Sequence, residues 1–148
     1  MSVSISEFAD RIAEVMPVIA KEFTRHQSHE LFKGVVTLPQ FLVLNFLDNS
    51  GESKMKDLAK FMDVTTAAMT GIVERLVKYG YVERVFDPED RRIIKIKPTP
   101  KGSGLVKKFK EQKRQMVINI FGKLSEKDRE DYLRIIMQIR DVLTLQRA

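Results

Sequence analysis

"YVERVFDPEDRRIIKIKPTPKG", residues 81–102, sets two β-branched runs, "VERVF" and "IIKIK", around the hexamer "DPEDRR". The runs predict two short antiparallel strands, Val82–Phe86 and Ile93–Lys97, with Asp87–Arg92 as a charged finger between them. A hairpin tip with a purely structural task favours Asn-Gly or another glycine-bearing turn. This tip has neither residue and ends in Arg91 and Arg92, which can be aimed outward. Arginine suits a narrow minor groove, where the potential is most negative. The acids need a separate explanation, because carboxylates next to DNA are repelled. Asp90 can pair with an arginine, either within the finger or at Arg75 of the preceding helix, and so fix the finger's angle.

Upstream of the hairpin the periodicity changes from two to between three and four. "TLPQFLVLNFLDN" reads as a helix that starts with Thr37 or Leu38 before Pro39, a residue suited to the first helical position. "SKMKDLAKFMD" reads as a second, turning Met55, Leu58, Ala59 and Met62 inward. "VTTAAMTGIVERLVKYGY" reads as a third, with Thr65 as N-cap, Ala68, Met69, Ile72, Val73 and Leu76 buried, and Gly80 in the left-handed C′ position. Only a tight turn fits between the second and third. A hairpin directly after such a pair is the order of a winged helix–turn–helix.

Long helices flank this unit. Ile5, Phe8, Ile12, Val15, Ile19 and Phe23 form one face of an amphipathic helix from Ser4 to about Arg25, with Pro17 inside it as a bend. "TRHQSHELFKGVV" is poorly periodic and reads as a fraying end, a short turn of helix and a loop around Gly34. Thr99 and Pro100 open a helix through "KGSGLVKKFKEQKRQMVINIFGKL", whose Gly102 and Gly104 are expected to loosen its first turn. Ser125 opens the last helix, "SEKDREDYLRIIMQIRDVLTL", whose acidic first turn suits the helix dipole. The fold class is mainly α with one β-hairpin. A winged helix–turn–helix lobe, 37–102, lies between terminal helices, 1–36 and 103–148, within a single domain, 1–148. The terminal faces are too apolar for the lobe to cover, and two-fold self-association is the commonest solution. Ile5, Phe8, Ile12, Ile19, Tyr132, Ile136, Ile139 and Leu143 are the expected dimerisation residues. The methionines Met16, Met55, Met62, Met69, Met116 and Met137 are read as core.

Composition narrows the function. The 148 residues carry a net charge of +6, distributed as −1, +2 and +5 over residues 1–36, 37–102 and 103–148. A basic surface suits a polyanion, but a solvated lysine-rich face explains the charge equally well. There is no cysteine, hence no disulfide, thiolate zinc site or thiol switch. No uncharged apolar stretch approaches a membrane span and no secretory signal is present, so a cytoplasmic location is expected.

The third helix supplies the chemistry of base reading. Thr65, Thr66, Ala67 and Thr70 are small or hydroxyl-bearing and stand at the end that would enter a major groove. Lys54, Lys56 and Lys101 are candidates for phosphate contacts. An enzyme is not indicated: no nucleophile has a base beside it and no glycine-rich phosphate loop is present. His26 and His29 could share a metal on one helical face, as in a metal-responsive regulator. Without cysteine the pair would need Glu22, Glu30 or a second subunit, and a polar helix end is the better reading.

These residues resemble the multiple-antibiotic-resistance regulator (MarR) family of transcription factors along nearly the whole chain. "VTTAAMTGIVERLVKYGYVERVFDPEDRRIIKIKPTPKG" is similar to that family's recognition helix and wing, and "LPQFLVLNFL" to its first short helix. The family's wing ends in Asp-x-Arg, matched by Asp90, Arg91 and Arg92. The resemblance makes Arg92 the minor-groove arginine and Asp90 its structural partner, and Arg75 matches a common arginine of the recognition helix. Pro98 and Lys54 depart from the pattern, where leucine and a capping threonine are usual. The family implies a homodimer gripping a palindromic operator on double-stranded DNA, often a repressor. Small amphipathic ligands, bound between the dimerisation helices and the lobe, commonly release such repressors. Here that places an effector between the first helix, "LPQFLVLNFL" and the Leu105–Phe121 helix. A winged-helix protein–protein adaptor is the alternative. It would have no use for the arginine tip or the hydroxyl-lined helix end.

Overall fold

A computed structural model describes residues 2–31 and 35–146, with the side chains of 27–31 outside the description. The elements run α1 (Ile5–Leu31), α2 (Leu38–Ser50), β1 (Ser53–Lys54), α3 (Met55–Met62), α4 (Thr66–Lys78), β2 (Val82–Phe86), β3 (Ile94–Pro98), α5 (Pro100–Phe121) and α6 (Glu126–Leu145). The chain divides into two compact units, Met1–Lys110 and Glu111–Ala148, and the division falls inside α5.

Local chemistry accounts for the helix boundaries in the first unit. Thr37 and Gln40 cap α2 reciprocally: the Gln40 N–H donates to the threonine hydroxyl and the Thr37 N–H to the glutamine oxygen. The Thr65 hydroxyl accepts from the Ala68 N–H at 3.1 Å and starts α4. At its far end the Tyr81 N–H bonds to Leu76 O and the Gly80 N–H to Val77 O, with Gly80 at φ 79. This is a Schellman close, and it turns the chain directly into β2.

The core of this unit contains Val43, Leu44 and Leu47 of α2, Leu58 of α3, Met69, Val73 and Leu76 of α4, Val82 and Ile96 of the sheet, and Val106 and Phe109 of α5. Burying each such side chain contributes roughly 1.5–3 kcal/mol. Phe41 stacks on Phe109 with ring centroids 4.2 Å apart, fastening α2 to the start of α5. The sheet has three strands in the order β1-β3-β2, all antiparallel. Val82 and Ile96 face the core, and the register pairs Arg84 with Ile96 and Phe86 with Ile94.

Several expectations are corrected. Ser53 and Lys54 form a short strand against Ile96 and Lys95 rather than the first turn of α3. Strand β3 runs Ile94–Pro98, one residue later than the apolar run, because the Ile93 carbonyl is taken by the Asp87 N–H in closing the finger. Ala68 is exposed, and of the six methionines read as core Met69 is buried and Met55 and Met62 pack half-buried against the core, whereas Met16 and Met137 lie open. Gly102 does not loosen α5. It is buried, and a Cβ there would run into the Tyr81 carbonyl oxygen. Helix α1 continues through Leu31 in place of the expected fraying end, and the loop around Gly34 lies outside the described residues.

Helix α1 exposes nearly all its described side chains, including Ile5, Phe8, Ile12 and Ile19, and only Phe23 is half-buried. In the second unit the Ser125 hydroxyl caps α6 by accepting from the Asp128 N–H, and the rings of Phe121 and Tyr132 lie 5.2 Å apart. No residue of α6 is buried, so Tyr132, Ile136, Ile139 and Leu143 are all exposed apolar surface.

Candidate nucleic-acid interface

Helix α4 presents its small residues outward. Thr65, Thr66, Ala67, Ala68 and Gly71 are exposed and Thr70 is half-buried. Nothing lies within 4 Å of where a Gly71 Cβ would stand, so this face is open. The Thr70 hydroxyl donates to the Thr66 carbonyl at 2.8 Å, which leaves its oxygen free to accept from a base or a bound water. Thr65 uses its oxygen as a cap acceptor and keeps a proton to donate. Ala68, expected in the core from its helical spacing, belongs to this open surface. Its neighbours Met69 and Val73 satisfy the apolar period without it.

The finger is held by its own carboxylates. Asp87 Oδ1 accepts from the Glu89 N–H at 2.8 Å and the Asp90 N–H at 3.4 Å, an Asx turn that sets the start of the loop. The Ile93 N–H donates to the Asp90 carbonyl and closes the far side. Asp90 Oδ1 accepts from the Arg92 N–H at 3.0 Å and from Nε at 3.1 Å, while Oδ2 accepts from Nη2 at 3.2 Å. The Arg92 side chain is nonetheless 90% exposed. The carboxylate fixes its direction without burying it. Hydrogen bonds from Arg92 hold the Asp90 carboxyl below the usual carboxylate range, side chain first and backbone second. Asp87 is lowered as well, first by the Glu89 N–H, against a smaller opposing effect of burial.

Of the two arginines that could have served Asp90, the structure selects Arg92. Arg75 makes no ion pair among the described residues. It lines a cleft of about 420 Å³ with Val35, Val36, Thr37, Leu38, Gln40 and Tyr79. Lys101 is engaged at home: its ammonium donates to the Tyr79 carbonyl at 2.8 Å and sits 4.7 Å above the Tyr81 ring. It therefore ties α5 to the end of α4, a task with which a phosphate contact would compete. Lys54 stands at the N-cap of α3 without a side-chain cap bond, and Lys56 is exposed. The His26 ring bonds to the Glu22 carbonyl, whereas the side chain of His29 lies outside the described residues.

An exposed hydroxyl-lined helix, a tight turn before it and an arginine-tipped hairpin after it make a winged helix–turn–helix. The model of the MarR family matches residues 36–94, from the residue before the α2 cap to the first residue of β3. Residues 36–94 are therefore a winged helix–turn–helix of the MarR type. A MarR chain is a DNA-binding transcriptional regulator and not an enzyme. Among its relatives, the uncharacterized HTH-type transcriptional regulator YpoP of Bacillus subtilis is 27% identical over 97 residues, 66% of this chain and 69% of its own. The crystal structure of YusO from Bacillus subtilis superposes with a TM-score of 0.83 at 20% identity, covering 94% of this chain and 99% of that one. An S. aureus MepR mutant bound to an oligodeoxyribonucleotide has a TM-score of 0.73 at 21% identity, covering 88% and 96%. Among the described residues of this chain no helix is long and apolar enough to cross a membrane.

Proposed function

We propose that the chain is a cytoplasmic homodimeric repressor that grips a palindromic operator and is released by a small amphipathic ligand. Its α4 reads base edges through Thr66, Ala67 and Thr70, with Thr65 as cap and donor. Arg92 of each wing enters the flanking minor groove, Arg91 lies beside it, and Lys54 and Lys56 approach the phosphates. The observation that carries this reading is the three-point hold of Asp90 on an otherwise exposed Arg92. A hairpin that only filled space would have no reason to aim a cation into solvent. The exposed apolar faces of α1 and α6 support the dimer. The cleft beside Arg75 is lined from the 35–40 segment, Arg75 and Tyr79 and not, as expected of the effector site, from α1 or α5; it supports a ligand because an occupant would touch the C-terminal end of the recognition helix. A ligand can act there only through unequal affinity for the gripping and non-gripping states.

Selection of binding sites from a random duplex pool tests this. A two-fold symmetric site should emerge, with half-sites about one helical turn apart. Arg92→Ala should weaken binding to it and reduce the slope of log K against log salt by about one unit per subunit. An unsymmetric consensus would remove the two-fold grip, and an Arg92→Ala variant with unchanged affinity and slope would remove the wing.

A further inference from the structure

The β2–β3 ladder ends at the Phe86–Ile94 pair, and the finger lies beyond it. Two backbone bonds close the finger, from the Asp87 N–H to the Ile93 carbonyl and from the Ile93 N–H to the Asp90 carbonyl, and side chains tie it to the rest of the lobe. Gly51 closes α2 at φ 88, donating its N–H to the Leu47 carbonyl at 2.7 Å, and Glu52 stands on that turn. Glu52 Oε1 accepts from Lys95 Nζ at 3.3 Å, and the same ammonium lies 3.6 Å from Asp87 Oδ2. The other oxygen of Asp87 holds the Glu89 and Asp90 N–H groups, and Asp90 holds Arg92. From the end of α2 to the tip arginine the chain of contacts is unbroken. The Lys95 and Asp87 side chains are only 28% and 20% exposed, so this middle link is shielded more than an ordinary surface pair. Lys95 is also the register partner of Lys54, and the two carboxylates offset that like-charge neighbour.

We infer that Glu52 and Lys95 are positioning residues for DNA binding, setting through Asp87 and Asp90 the direction in which Arg92 points. The inference rests on the reading of Arg92 as the wing's DNA contact. Glu52 separates it from simple electrostatics, because removing an anion makes the protein more positive and should tighten binding to a polyanion. Loss of positioning has the opposite sign, since a loose finger is ordered only on docking. Exposed ion pairs are weak, so the expected loss is about threefold per wing, or about tenfold for a dimer using both.

The experiment measures affinity for the selected operator against salt for the intact chain and for Glu52→Ala, Glu52→Gln, Arg92→Ala and the Glu52→Ala/Arg92→Ala double variant. Glu52→Ala should bind more weakly, with a salt slope moved toward that of Arg92→Ala. Glu52→Gln, whose amide oxygen still accepts from Lys95, should recover part of the loss. The double variant should bind no worse than Arg92→Ala alone. If Arg92→Ala weakens binding but Glu52→Ala leaves it unchanged or tighter, the positioning role is overturned and the wing reading stands. Additive losses in the double variant would place the effect of Glu52 elsewhere and also overturn it. An Arg92→Ala variant that binds like the intact chain removes the wing reading and this inference with it.

Discussion

Asp90 holds Arg92 by one backbone and two side-chain hydrogen bonds, all between 3.0 and 3.2 Å. Asp90→Ala removes a negative charge from the DNA-facing tip, and charge alone would tighten operator binding. The freed arginine must instead be ordered on docking, and we expect weaker binding with the dimer intact and the melting temperature only modestly lower. Fluorescence anisotropy at low salt checks the sign. Tighter binding there would make the carboxylate incidental surface charge.

The exposed end of α4 should determine which sequence is bound. A side chain matched to its base typically discriminates against the wrong one by ~1–3 kcal/mol. Thr66→Val and Ala67→Ser should therefore change the ranking among operator variants more than they change binding to random DNA. Equal weakening on every duplex would mean that these positions meet only the backbone.

Gly102 packs α5 against the backbone of Tyr81, just before β2. Its missing Cβ leaves room for the Tyr81 carbonyl, which accepts from the Thr99 N–H at 3.0 Å, and for a Leu44 methyl. Gly102→Ala should destabilise the lobe by about 1–3 kcal/mol in denaturant titration, as overpacking does. Gly104→Ala, where nothing stands within 4 Å, should be neutral or slightly stabilising. Equal effects at the two glycines would contradict the packing described.

Acid should loosen the finger. Asp87 and Asp90 have depressed folded-state pKa values, so their contribution is full above the unfolded values and is lost as pH falls through the folded ones. Lys95 is raised, chiefly by its hydrogen bond to Glu52, so its contribution is full below its unfolded value and fades only as pH rises through the folded one. The finger is therefore ordered across the neutral range and opens below the ordinary aspartate range. The amide resonances of Glu89 and Arg92, which donate to these carboxylates, should titrate with lowered midpoints. Midpoints at the ordinary aspartate value would show that the bonds do not persist in solution.

The apolar faces of α1 and α6 should bring two copies together. Ile5, Phe8, Ile12 and Ile19 on one helix, and Tyr132, Ile136, Ile139 and Leu143 on the other, are all at least 40% exposed in the single chain. Sedimentation should show a dimer, and deletion of residues 1–24 should give a monomer or an aggregate. A well-behaved dimer after that deletion would move the interface elsewhere.

Most of the fold was legible from local chemistry. Thr37, Thr65, Thr99 and Ser125 announce helix starts because a hydroxyl satisfies a free N–H within three residues. Gly80 announces a stop because its φ of 79 is strained for any side chain. The hairpin followed from β-branched alternation, and the outward arginines from a tip without glycine. What lay beyond reach depends on groups far apart in the chain. Strand β1 is two residues long and exists only because Ile96 and Lys95 pair with it, so no period within it could reveal it. The Glu52–Lys95 contact spans 43 residues, and local spacing says nothing about it. Ala68 and Gly102 were misplaced for related reasons: helical period alone does not define the edge of a buried face, and a close backbone approach is invisible until both backbones are placed. Asp90 had two arginines to choose from. Residue order made each a candidate, and only the folded turn, which brings Arg92 within 3.1 Å, decided between them.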